Sequence, residues 1–332
     1  MTSDGQGQRR GRSAGPATDT PSDTQTRRTR LRELLGISEG FDAAPGRTPR
    51  VLGADPQRPP TGVSQVQVDT GSGTGPGAGT EIPAFLLGPD PERANGAAVV
   101  LVAGHGRGID DLVYSDSTEE ALAHKMAGAG FTVLCPEMIS FGRRRFPRPE
   151  GAEPYAGIEN SCRIDVARHL LYGRPVMGHR VADARAAVQA LREVPGVDPH
   201  RVAVAGGSGG GAVSLLLAAS DPTISAALVA AYFCTFEASF CSLSHCPCNM
   251  IPGILPEFEM ADIAALIAPR PLIIEAGEKD HIFPIGATRA SFDLLPPVWH
   301  AQAAEPPELV VTDSGHAFRA EKSLEALVGR LG

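Results

Sequence analysis

"VAVAGGSGGGAVSLLLAAS", residues 202–220, runs from an apolar segment through Gly206-Gly207-Ser208-Gly209-Gly210 into a string of helix formers. A strand that is apolar throughout, a tight glycine turn and an immediate helix are the local order of a parallel sheet buried on both faces. Within the turn, residues 206–210 fit G-x-S-x-G, a pattern that needs small neighbours because the serine sits on a sharp strand-to-helix turn. The first N–H groups of the following helix point at that serine and favour negative charge developing beside it. A Gly-Ser cluster elsewhere is ordinary turn chemistry, but these flanks make Ser208 a candidate nucleophile.

The same rhythm extends outward. From residue 97, the apolar runs "AAVVLVAG", "FTVLCPE", "SAALVAAYF", "PLIIEAG" and "ELVVTD" are separated by helical patterns such as "STEEALAHKMAGAG", "SCRIDVARHLLYG" and "VADARAAVQALREV", with a last helix from Ala317. This alternation predicts an α/β fold, a mostly parallel doubly wound sheet flanked by helices. Upstream, "VSQVQVD" alternates like a half-buried strand and "GSGTGPGAGT" separates it from "EIPAFLLG", predicting antiparallel entry strands on the N-terminal side. "GRTPRVLGADPQRPPTG" reads as loop, and "TRRTRLRELLGI" as a short helix with Leu31, Leu34 and Leu35 on one face. Three segments follow: a disordered tail over 1–25, a helix and entry strands over 26–96 packed on the core, and one catalytic domain over 97–332.

Bulk properties bound the function. At 332 residues and 42% hydrophobic composition the chain can bury a sizeable core, and its net charge of −8 argues against nucleic acid as the main partner. No run approaches the roughly 18 apolar residues of a membrane span. Arg9 and Arg10 are followed by "GRSAGPATDTPSDTQ" and not by an apolar export segment, so a cytoplasmic location is expected. The six cysteines, Cys135, Cys162, Cys234, Cys241, Cys246 and Cys248, are then expected as free thiols. A homo-oligomer remains open.

Two further loops leave the sheet at strand ends, where the function of α/β proteins gathers. "IIEAGEKDHIFP" places Asp280 after one apolar strand, and "VVTDSGHAFRAE" places His316 after another. In that order Ser208, Asp280 and His316 supply a nucleophile, an orienting acid and a general base. Asp313 and Glu278 are rival acids, while His281 reads as structural. "VVLVAGHGRGIDD" offers a second backbone donor beside Gly209 for an oxyanion, with the N–H of His105 first and Gly106 next. A phosphate-binding role for this loop is weaker, because its G-x-G-x-G lacks an immediate helix.

On "VAGHGRGIDDLVY", "PEMISFGRRR", "DPHRVAVAGGSGGGAVSLLLAASD", "IAPRPLIIEAGEKDHIFP" and "DSGHAF", the chain from about 97 to 332 resembles the α/β-hydrolase superfamily. Within it, the likeness is to the dienelactone-hydrolase and acetyl-xylan-esterase-like group. The resemblance implies a carboxylic-ester hydrolase that uses Ser208, Asp280 and His316 with no metal and no organic cofactor. Ala103-Gly104 stands before His105 where such enzymes often have His-Gly, so which N–H completes the oxyanion site stays open. Relatives that transfer the acyl group, close a lactone or have become silent binding proteins keep those readings available too.

Arg107, Arg143, Cys241 and Cys246 are candidate substrate contacts, from the glycine loop, the basic loop "MISFGRRRFPRPEG" and the loop "CTFEASFCSLSHCPCNMIPG". Cys241, His245, Cys246 and Cys248 could be drawn as zinc ligands, but Cys-Pro-Cys is tighter than the usual C-x₂₋₄-C and no second pair follows it. The expectation is that these thiols pack as small apolar groups along the pocket. One Trp and four Tyr make an aromatic platform for long sugar chains hard to build, which favours a small ester substrate.

Overall fold

The computed structural model describes residues 20–38, 48–53, 62–70, 80–114, 121–146 and 160–331. Among them nine strands form one sheet: β1 (Arg50–Gly53), β2 (Val63–Asp69), β3 (Glu81–Leu87), β4 (Ala98–Val102), β5 (Thr132–Pro136), β6 (Val202–Gly207), β7 (Ala227–Ala230), β8 (Leu272–Gly277) and β9 (Glu308–Thr312). Their order is β1-β2-β3-β5-β4-β6-β7-β8-β9. β1, β2 and β3 pair antiparallel, and β3 meets β5 antiparallel. From β5 across to β9 every pairing is parallel. This is the expected mixed, mostly parallel sheet with antiparallel entry strands.

The central strands are apolar throughout because both faces are covered. Val100 and Val102 of β4, with Val202 and Val204 of β6, enter one core layer; Val99, Leu101, Ala203 and Ala205 enter the other. The strand pleat alone makes this division. The helix after Ser208, Gly209–Ser220, is buried along its whole length and packs on β6 and β7. At its C-terminal end the free carbonyls are met by arginines. Arg28 and Arg32 donate to the carbonyls of Ala219 and Ser220, and Arg270 donates to Ala218 and Asp221 at 2.8 and 3.0 Å. Positive charge there also complements the helix dipole.

Several boundaries differ from the expectation. The N-terminal helix begins at Pro21, capped by Thr20, so the last residues assigned to the tail are helical; residues 1–19 lie outside the described residues. β1 falls inside the segment read as loop, where its exposed edge gave no apolar pattern. The helix before β6 begins at Val176 and not at Val181, and the last helix begins at Lys322 and not at Ala317.

Candidate active site

Ser208 directly follows β6 with φ 52° and ψ −116°, a left-handed backbone that a non-glycine residue adopts only where the surroundings hold it. Those surroundings are close. A Cβ on Gly206 would stand 2.5 Å from the carbonyl carbon of Gly210, and one on Gly210 would stand 2.0 Å from the carbonyl oxygen of Val102. The turn therefore accepts only glycine at both places. Ser208 donates its own N–H to the carbonyl of Ala230 at 2.9 Å, which fixes the turn to β7.

The loop after β9 brings His316 to the serine, Nε2 lying 2.9 Å from Oγ. On its other side, His316 Nδ1 lies 2.9 Å from Oδ2 of Asp280, in the loop after β8. The second oxygen of Asp280 accepts the N–H groups of Ile282 and Phe283 at 2.8 and 3.1 Å. Burial works to raise the Asp280 pKa, yet the hydrogen bonds from His316, Phe283 and Ile282 outweigh it and hold the carboxylate below its ordinary value. The rival acids are elsewhere: Asp313 pairs with Lys279 on the surface, and Glu278 with Arg289. Such a chain of hydrogen bonds can pass a proton from Oγ to an imidazole whose cationic form is stabilised by the carboxylate.

These residues open onto a cavity of about 530 Å³. Ser208, Gly209, His105, Cys246 and His316 are on its wall, as are Tyr232, His245, His281 and Phe283. His281, read as structural, is thus a lining residue. Other candidate contacts are held away from it. Arg107 donates to Asp111 at 2.8 Å, and Arg143 donates to Asp110 at 2.9 Å while lying over the Phe85 ring. Gly106 packs against the Asp111 carboxylate, and Cys241 is exposed. None of these four lines the cavity, because neighbouring acids engage the two arginines and the loop carries Cys241 outward.

Two positioning residues carry no local sequence signal. Phe283 stacks on the His316 ring with centroids 5.8 Å apart and planes 18° from parallel. Glu275, buried in β8, accepts the N–H groups of Arg319 and Ala320 and the hydroxyl of Ser323, pinning the segment that follows His316. Cys234, by contrast, is chemically quiet, since burial pushes its thiol up to about 12. The four residues drawn as zinc ligands do not assemble: His245 bonds Ser239 at 2.9 Å and stacks on Phe240, and Cys241 is at the surface. A different donor set, His105, Cys162, Cys246 and Cys248, gathers beside the cavity, which His105 and Cys246 line, with all ligand atoms within 4.8 Å of one another.

The dienelactone hydrolase family model matches residues 82–325, from β3 to the last helix. The chain belongs to the dienelactone hydrolase family. Its enzyme class is accordingly that of the carboxylic-ester hydrolases. No curated protein matches the sequence significantly. Solved structures similar to this dienelactone hydrolase family member share its fold at low identity. A Bacteroides fragilis protein with a provisional acetyl xylan esterase assignment is 15% identical with a TM-score of 0.66, covering 91% of this chain and 80% of that one. The acetyl xylan esterase from Paenibacillus sp. R4 is 18% identical, TM-score 0.59, with 96% and 97% covered. The glucuronoyl esterase from Solibacter usitatus is 16% identical, TM-score 0.58, with 95% and 94% covered.

Proposed function

We propose that this enzyme cleaves an uncharged carboxylic ester of a small intracellular metabolite through an acyl-enzyme on Ser208. The observation that carries the reading is the Asp280–His316–Ser208 hydrogen-bond chain opening on a cavity whose described lining holds no Asp, Glu, Lys or Arg. Ser208 Oγ attacks the ester carbonyl while His316 takes its proton, and Asp280 holds the imidazole in the tautomer this requires. The ester C–O bond then breaks, the alcohol leaving with the proton from His316. Water, deprotonated by the same imidazole, releases the acid and restores the serine.

Oxyanion donors follow from what is already engaged. The Ser208 N–H is committed to Ala230, so Gly209, at the open N-terminus of its helix, is the nearer donor, with the N–H of His105 as the second. A cavity of about 530 Å³ suits a small molecule more than a polymer. Acetyl xylan and glucuronoyl esterases among the similar structures agree with ester chemistry without naming this substrate. The six cysteines, none of them in a disulfide, fit a reducing, cytoplasmic setting.

A panel of p-nitrophenyl esters of increasing acyl length, with product analysis with and without added alcohol, tests this. The reading predicts turnover of short neutral esters to the free acid, lost in Ser208→Ala. Turnover that survives that substitution, or product found only as a transferred ester, would contradict it.

A further inference from the structure

The geometry points to a structural Zn²⁺ site of Cys₃His type beside the cavity, formed by His105, Cys162, Cys246 and Cys248. These residues come from three separate places: the loop after β4, the first residue of the helix Cys162–Leu171, and the loop after β7. Their donor atoms lie within 4.8 Å of one another, with His105 Nε2 and Cys248 Sγ 3.0 Å apart. Tetrahedral zinc with its usual bond lengths would place sulfur ligands about 3.8 Å from each other, so the group needs only small adjustments to close on an ion.

A second observation, the buried charge beside these cysteines, points the same way. Arg180 is 1% exposed and has no carboxylate partner among the described residues. Its guanidinium donates to Cys248 Sγ at 3.2 Å, to Cys162 Sγ at 3.4 Å and to the carbonyl of Ile139 at 3.3 Å, and lies over the neutral Phe141 ring at 4.7 Å, while its buried Nε has no hydrogen-bond partner. A guanidinium stays charged wherever it is buried, so it needs a countercharge that three neutral thiols do not provide. Zinc bound by three thiolates and a neutral imidazole carries a net charge of −1, the complement of Arg180. On binding, the three thiols lose their protons to solvent as the Zn–S bonds form.

Four protein ligands leave no open coordination position, which makes this a structural centre and not a hydrolytic one. Its place gives it a task beyond holding the loops together. His105 and Cys246 line the same cavity as Ser208, and the His105 ring packs against Gly209. Fixing the imidazole to an ion fixes the backbone at 105 beside the serine. Cys162 and Cys248 are buried and Cys246 half-buried, and Cys246 and His105 are the members of the group that reach the cavity wall.

The test is elemental analysis of the full-length chain purified without chelator from zinc-supplemented cells, followed by cobalt addition to the stripped protein. One zinc per chain is expected, retained in Cys241→Ser and in Ser208→Ala and lost in Cys162→Ser and Cys248→Ser. Retention in Ser208→Ala separates this site from the esterase reading, since that variant lacks the proposed nucleophile. Should the cysteine variants fold poorly, the stripped wild-type chain decides alone: cobalt should give the intense visible bands and thiolate charge-transfer absorption of a tetrahedral sulfur-ligated ion. Zinc that persists in Cys162→Ser or Cys248→Ser, a wild-type chain that takes up neither metal, or a disulfide among these three cysteines would overturn the assignment.

Discussion

Ser208 is held in a backbone conformation that costs energy, and its neighbours show what holds it. Gly206 and Gly210 stand where any Cβ would strike backbone, so Gly210→Ala should open the turn and lower kcat by orders of magnitude even if the chain still folds. Circular dichroism beside steady-state kinetics would distinguish a lost turn from a lost fold. Asp280→Asn keeps the shape of the acid but presents the wrong tautomer to His316, and a fall in kcat of about 10³–10⁴-fold with little change in KM is expected. Phe283→Ala, which unstacks His316 without touching its hydrogen bonds, should lower kcat by a smaller factor. Of these residues, Ser208, Asp280 and His316 are legible in the sequence because each follows a different apolar strand. Phe283 is not, since its ring meets His316 only after two strands pair.

At the scale of elements, the loops around the site rest on buried charge. Glu137, directly after β5, accepts the N–H groups of Ile109 and Arg143 at 3.2 Å each and so ties the glycine loop to the basic loop. Burial pushes its carboxyl from 4.5 up to about 7, against the lowering influence of Arg143 and Ile109. Folding therefore takes up a proton between those values; the stability this contributes is complete below about pH 4.5 and is lost as pH rises through about 7. Glu137→Gln removes that dependence. Relative to the variant, the wild type should lose up to about 3 kcal/mol between pH 4.5 and 8, as chemical denaturation at the two ends would show. Arg270 acts at the far end of the nucleophile helix, and Arg270→Ala, which strips partners from the carbonyls of Ala218, Asp221 and Ile224, should cost about 3 kcal/mol in the same assay. The start of the last helix shows where local reading ends. Residues 317–321 carry helix formers, yet Glu275 binds the N–H groups of Arg319 and Ala320, and Ala320 takes φ 56°, delaying the helix to Lys322.

The molecule as a whole is a mixed, mostly parallel sheet that collects the ends of β4, β6, β7, β8 and β9 on one edge, together with the loops that carry the cavity. Its central half is plain in the sequence because strands covered on both faces are apolar at every position. Its margins are not: β1 is an exposed edge with no apolar pattern, and the arginines at 107 and 143 look available until Asp111 and Asp110 are found beside them. The group at His105, Cys162, Cys246 and Cys248 spans more than a hundred residues, so no spacing along the chain could reveal it. The N-terminal helix belongs to the same body. Leu31 and Leu35 are fully buried in the larger core layer, and Leu35→Ala should lower global stability by about 2–5 kcal/mol while leaving the order of the site intact. On the proposed function, Ser208 is the residue acylated in turnover. Reaction of the folded chain with a fluorophosphonate, read by intact mass and peptide mapping, tests it most directly. One adduct per chain on Ser208, absent from Ser208→Ala and strongly slowed in His316→Ala, is the predicted result. A folded chain that takes no label, or one labelled at another residue, would contradict it.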